Sequence, residues 1–211
     1  MTNKGKLTKH SQDTLIKVIA FDFGEVIYTY DHDALMRIFA KKLEQPIDKV
    51  ANARKCKIKQ YEKWKISEND FWNAFLKKLK IHYDKKILHQ ITINHFQPIP
   101  GSLKILADVQ GKATIGLISN QTSWLYDLEK IYKFKKMFSI LVASMDVGLR
   151  KPSKSIFKYF IKKAKVNPNE IVFIDDRIDY KEVTESVGMH FIHFRNPKQL
   201  RSKLKSYGIK I

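Results

Sequence analysis

A chain of 211 residues with 44% hydrophobic content can bury a core of its own, as one domain or as one domain with a sizeable insertion. Its formal charge of +19 raises the question of nucleic acid, but only six of the 40 basic residues are arginine and the lysines are spread over nearly every predicted helix. That spread fits a solvated lysine-rich surface and argues against nucleic acid as the main ligand.

Residues 1–16 are polar and basic and lack the apolar centre of a signal peptide, so a loose basic arm is expected there. No apolar run approaches a membrane span, and the single cysteine, Cys56, excludes an intramolecular disulfide, so a reducing, cytoplasmic location is expected. Val18 to Phe21 reads as a buried parallel strand that stops on Asp22, with Gly24 as the turn that leaves it. Tyr28 to Asp33 reads as a short polar connection. Asp33 then caps a helix to about Leu43, with Leu35, Ile38, Phe39 and Leu43 on one stripe. Asp48 to Lys65 continues in helical period through Val50, Cys56, Tyr61 and Trp64, with Cys56 expected half-buried. Ser67-Glu68-Asn69-Asp70 is a capping signal for an amphipathic helix carrying Phe71, Trp72, Phe75, Leu76 and Leu79, and a further helix is expected over residues 83–95. Trp64, Trp72, Phe71 and Phe75 read as the core of this helical section, residues 32–97.

After Pro98-Ile99-Pro100-Gly101 the rhythm changes. Helices over 102–109, 122–131, 153–164 and 180–186 alternate with strands over 113–119, 140–143, 171–174 and 190–193, before a terminal helix from Pro197. Alternation with short loops calls for an α/β fold, a Rossmann-like parallel sheet with helices on both faces. The expected division is a core of 17–31 and 98–211 interrupted by a small all-helical cap at 32–97.

Three further polar clusters follow apolar strands as Asp22 does: Ser119-Asn120, Lys151-Pro152 and Asp175-Asp176, with Asp179 three residues on. In a parallel sheet these ends lie on one edge, where such folds bind ligands. Carboxylates converging there need a hard cation between them, which implies Mg²⁺. With it Asp22 can remain ionised and attack phosphorus, forming an aspartyl-phosphate that water hydrolyses. Lys151, the Ser119 hydroxyl and loop N–H groups would stabilise charge on the transferring phosphoryl group.

The order Asp22-Phe23-Gly24-Glu25-Val26, Ser119-Asn120, Gly148-Leu149-Arg150-Lys151-Pro152 and Asp175-Asp176 resembles the four signature motifs of the haloacid dehalogenase-like (HAD) hydrolase superfamily. The insertion resembles the helical cap of its subfamily I, and Trp64 to Phe71 looks like a segment found in such caps. The resemblance implies Asp22 as nucleophile and Mg²⁺ ligand, the Gly24 carbonyl as a second ligand and Asp176 as a third, with Asp175 behind them. It also implies that Ser119, Asn120 and Lys151 hold the phosphoryl group of a small phosphate ester. Most phosphatases of the superfamily carry a second Asp two residues after the nucleophile, where it protonates the leaving oxygen and later activates water. That work is worth about 10² to 10⁴ in rate. Gly24 occupies the position here, as in an Asp-x-Gly-x-Val branch similar to bacterial α-D-glucose-1-phosphate phosphatase. Glu25 is the first candidate to replace the missing acid, with Asp31 or a cap residue behind it.

Two other functions are carried forward. A catalytically weak phosphoryl-binding or partner-binding protein would be compatible with Gly24 and the basic surface. A haloacid dehalogenase would use the same nucleophile on carbon, but such enzymes place an aromatic at the second position and an arginine soon after, and no arginine precedes Arg37. The substrate and the oligomeric state are not legible at this level.

Overall fold

The computed structural model describes residues 15–211, so the expected arm lies outside the described residues except for its last two, of which Ile16 is already buried. The first strand, β1 (Val18–Phe21), is buried along its whole length, as its four apolar residues require. A two-residue strand β2 (Tyr28–Thr29) follows where a loop was expected. Five helices come next: α1 (His32–Leu43), α2 (Ile47–Lys55), α3 (Ile58–Tyr61), α4 (Glu68–Leu79) and α5 (Lys85–His95). The chain returns through β3 (Gln97–Pro98), which pairs antiparallel with β2 and makes a stem for the insertion. The remainder is α6 (Pro100–Val109), β4 (Thr114–Ser119), α7 (Trp124–Tyr132), β5 (Ile140–Ala143), α8 (Ser144–Val147), α9 (Lys154–Ala164), β6 (Ile171–Asp175), α10 (Lys181–Glu185), β7 (His190–His193) and α11 (Pro197–Ser206).

Five parallel strands form one sheet in the order β5-β4-β1-β6-β7. The chain builds outward from β1 on one side, crosses over and builds outward on the other, so a topological switch point falls beside the carboxyl end of β1. Alternate strand residues feed two cores. Ile19, Phe21, Leu117 and Ile174 face α6, α7, α11 and the insertion, while Val18, Ala20, Ile118 and Phe173 face Ile156, Phe157 and Phe160 of α9. Gly116 lets α9 approach: a Cβ there would lie 2.4 Å from Phe160 Cζ.

Within the insertion, Ser67 and Asp70 form the expected reciprocal cap, and Phe71, Trp72, Phe75, Leu76 and Leu79 of α4 are buried. Several expectations fail. The helix over 48–65 is two helices, α2 ending at Lys55 and α3 running from Ile58 to Tyr61, and the turn between them leaves Tyr61 fully buried against Phe71 and Trp124. Cys56 is accordingly exposed, and Trp64, at φ +54° beyond α3, is 54% exposed. On α1 Asp31 and not Asp33 is the cap, and Met36 rather than Ile38 joins the buried stripe. Between β5 and Lys151 the chain makes the short helix α8, where no helix was expected.

Candidate active site

Asp22 continues the edge of β1 by one residue, its N–H donating to Ile174 O at 2.8 Å, which fixes it beside β6. The following turn is closed by Ile27 and Tyr28 N–H on Phe23 O and by Glu25 N–H on Tyr28 O. Ser119 ends β4, Asp175 ends β6 and Asp176 follows it, so register alone carries these side chains to the edge that Asp22 occupies.

Lys151 lies at the centre of the cluster, 1% exposed, with Nζ 2.9 Å from Asp22 Oδ1 and 2.5 Å from Asp175 Oδ2. The Ser119 hydroxyl also donates to Asp22 Oδ1, at 2.7 Å. Asn120 clamps the lysine's backbone from both sides: Nδ2 donates to Lys151 O at 3.1 Å and Oδ1 accepts from Lys151 N–H at 2.8 Å. Asp175 is fully buried and accepts the Arg177 N–H at 2.9 Å. His193 Nε2 donates to the Asp176 carbonyl at 2.9 Å.

Electrostatics show what this cluster lacks. Burial, joined by the charge of Asp22 and opposed by Lys151, pushes the Asp175 carboxyl up to about 7. Burial and Asp22 likewise push Asp176 up. Burial alone would lower Lys151, yet Asp22 and Asp175 together raise it, so the ammonium stays charged. One carboxylate oxygen each from Asp22, Asp175 and Asp176 lies within 4.8 Å of the others. Three carboxyl groups around one ammonium cannot all ionise without further positive charge, and an all-oxygen donor set of this kind fits Mg²⁺.

A cleft of about 350 Å³ opens over the cluster. Of the residues expected from the sequence, Asp22, Gly24, Glu25, Ser119, Asn120, Lys151 and Asp176 line it, and Asp175 supports it from below. Glu25 stands at φ +57° and its Oε1 accepts the Tyr30 N–H, so its carboxyl group is tied to the turn. Asp31 is not among the lining residues: its carboxylate caps α1 by accepting Ala34 N–H at 2.8 Å. Asp179 is exposed and paired with Arg177 at 2.7 Å, apart from the carboxylate cluster.

The opposite wall was not foreseen. Arg54, Ile58 and Glu62 of the insertion line the cleft, with Tyr30, Trp124 and Arg150. Glu62 binds Arg150 Nε at 2.8 Å, and Ser144 donates to the Glu62 carbonyl at 2.6 Å while accepting from Gln121 N–H at 2.9 Å. One signal in the sequence marks this wall. Arginine is scarce in this chain, and three of its six arginines, Arg54, Arg150 and Arg177, line the cleft. A planar fork suits anion recognition where lysine serves elsewhere as surface charge.

A five-stranded parallel sheet with helices on both faces and a carboxylate and lysine cluster at its switch point places the chain among the Rossmann-like α/β proteins. The family profile of the haloacid dehalogenase-like hydrolases matches residues 16–179, and the chain belongs to that family. Among curated relatives it is similar to drimenol cyclase drtB of Aspergillus calidoustus, 22% identical over 90% of this chain and 36% of that protein. It is also similar to the glyceraldehyde 3-phosphate phosphatase of Methanocaldococcus jannaschii, 30% identical over 46% of each chain. The chain thus spans less than half the length of these two relatives. Among solved structures the HAD family enzyme bt-2542 of Bacteroides thetaiotaomicron, in complex with magnesium and inorganic phosphate, superimposes with a TM-score of 0.72 at 20% identity, covering 86% of this chain and 95% of that one. No described helix is long and apolar enough to cross a membrane.

Proposed function

We propose that the protein is a Mg²⁺-dependent, cytoplasmic phosphatase that hydrolyses a small phosphorylated metabolite through an aspartyl-phosphate on Asp22. The observation that carries this reading is the meeting of Asp22, Asp175 and Asp176 around a buried Lys151. Asp22, Asp176 and the Gly24 carbonyl would hold the cation, with Asp175 behind them, and bound Mg²⁺ would offset the negative charge shared by carboxylates and phosphate. The phosphatase name of one relative and the magnesium and phosphate in one structural neighbour support the same reading.

The chain's own residues have distinct tasks. Lys151 and Ser119 converge on one oxygen of Asp22 and orient the carboxylate for attack on phosphorus. The same two donors, with Asn120 beside them, stabilise charge on the phosphoryl oxygens as the leaving oxygen departs. Water then attacks the acyl phosphate and frees Asp22. Residues 32–97 act as a cap whose α2 and α3 close the cleft and exclude bulk water. Without a carboxylate at position 24, the reaction favours esters whose leaving group departs without protonation, unless Glu25 supplies the proton by breaking its bond to Tyr30 N–H.

The test is phosphate release from p-nitrophenyl phosphate, acetyl phosphate and a panel of phosphorylated metabolites, with Mg²⁺ or with EDTA. Wild type is expected to turn over with Mg²⁺ only, and Asp22→Asn to lose at least about 10³-fold, the scale for removing a nucleophile. Equal rates for the two proteins would favour the phosphoryl-binding class, and halide release from 2-chloropropionate would favour dehalogenation.

A further inference from the structure

Arg54 is 5% exposed, lies on α2 and faces the cleft. Its guanidinium carbon sits 5.7 Å from the ring centres of both Tyr30 and Trp124, and Nη2 donates to the Tyr30 hydroxyl. Its buried Nε has no hydrogen-bond partner, and no ion pair involves this arginine among the described residues. The acids around the cleft are committed elsewhere: Asp22 and Asp175 to Lys151, Asp176 to the carboxylate cluster that would hold the cation, Glu62 to Arg150, Glu25 to Tyr30 N–H. A desolvated cation with an idle donor is costly to maintain, and a ligand anion is the group that would compensate it.

We propose that Arg54 is the specificity-determining residue of the cleft and that it receives a second anionic group, carboxylate or phosphate, on the leaving-group side of the substrate. The inference rests on the phosphatase reading for the first anion, which Lys151, Ser119 and the carboxylate cluster would seat across the cleft. The two aromatic rings hold the guanidinium plane in place, so its fork is pre-oriented for a planar or tetrahedral anion. A cleft of this size, about 350 Å³, suits a compact metabolite carrying anions at both ends.

Phosphonates test this without turnover. Binding in the presence of MgCl₂ would be measured by calorimetry for alkylphosphonates, for phosphonoalkanoates of matched length from phosphonoacetate to 4-phosphonobutyrate, and for propylene bisphosphonate. At one length or more, the doubly anionic compound is expected to bind wild type about 10- to 100-fold more tightly than its singly anionic match, the range of a charge-assisted hydrogen bond. Arg54→Gln should erase that gain, and Arg54→Lys should retain only part of it. A gain confined to the phosphonoalkanoates identifies a carboxylate, and one confined to the bisphosphonate identifies a second phosphate. No gain in either series for wild type overturns the proposal even if Arg54→Gln does not fold, and so does a gain that survives in Arg54→Gln. Failure of the phosphatase reading appears separately, as absence of phosphate release from every ester, and leaves these binding ratios readable.

Discussion

Glu68 is the acceptor that ties the helical insertion to the core, and its removal should be felt as stability. Its Oε1 accepts Trp72 Nε1 at 2.9 Å and His89 Nδ1 at 2.7 Å within the insertion, and Trp124 Nε1 at 2.8 Å from α7. Both indoles are buried, 1% and 3% exposed, so Glu68→Ala removes the acceptor of two largely desolvated donors. A hydrogen bond to a charged group is worth about 1.5–3 kcal/mol when buried. Glu68 itself is 26% exposed, which brings each contribution to about 1 kcal/mol and the three together to about 3 kcal/mol. In a chain of this length 1 kcal/mol moves the melting midpoint by about 2–4 °C, so a fall of about 6–12 °C is expected by calorimetry. A fall below about 2 °C would show that the contact does not lock the two parts. Burial, the largest single influence, pushes the Glu68 carboxyl up, but the Trp124, His89 and Trp72 donors together bring it below the usual 4.5. A depressed value means that the stabilisation is complete above pH 4.5 and is lost as pH falls through the folded value. The stability gap between wild type and Glu68→Gln should therefore narrow below pH 4.5 and stay constant above it. A gap that widened on acidification would refute the assignment.

Three further outcomes are expected. Gly24→Asp should be tolerated, because a Cβ there meets nothing closer than Tyr30 Cβ at 3.7 Å, and it should raise turnover of poor leaving groups by about 10²-fold while changing acetyl phosphate little; equal gains on both substrates would mean the new carboxylate is no proton donor. Lys151→Gln should leave Asp22 and Asp175 facing each other without their shared cation and lower kcat by about 10²-fold or more, measured as phosphate release at saturating Mg²⁺. Gly116→Ala should cost about 1–3 kcal/mol in urea unfolding by forcing Phe160 off its seat, and Phe160→Leu in the same chain should recover part of it; a neutral Gly116→Ala would mean α9 does not press on the sheet there.

What the sequence shows and what it hides divide along a physical line. The sheet and the acidic edge were legible because β1, β4 and β6 are short apolar runs that each stop on a polar residue, and parallel pairing then sets Asp22, Ser119 and Asp175 side by side with no further information needed. Lys151 was legible only by its order in the chain, since 34 lysines look alike until one of them is enclosed by Asp22 and Asp175. The wall formed by Arg54, Glu62 and Trp124 was hidden, because it depends on where α2 breaks and how α3 turns. Beyond that break Tyr61 packs against Phe71 and Trp124, the latter 63 residues further on, and no local period records such a contact. The same separation has a functional sense. The edge that would bind a phosphoryl group is written into the strands, where register cannot drift without turning the core outward. The wall that would select the rest of the substrate is carried on short helices held by side-chain contacts to α7, where one substitution can re-aim an arginine without disturbing the sheet.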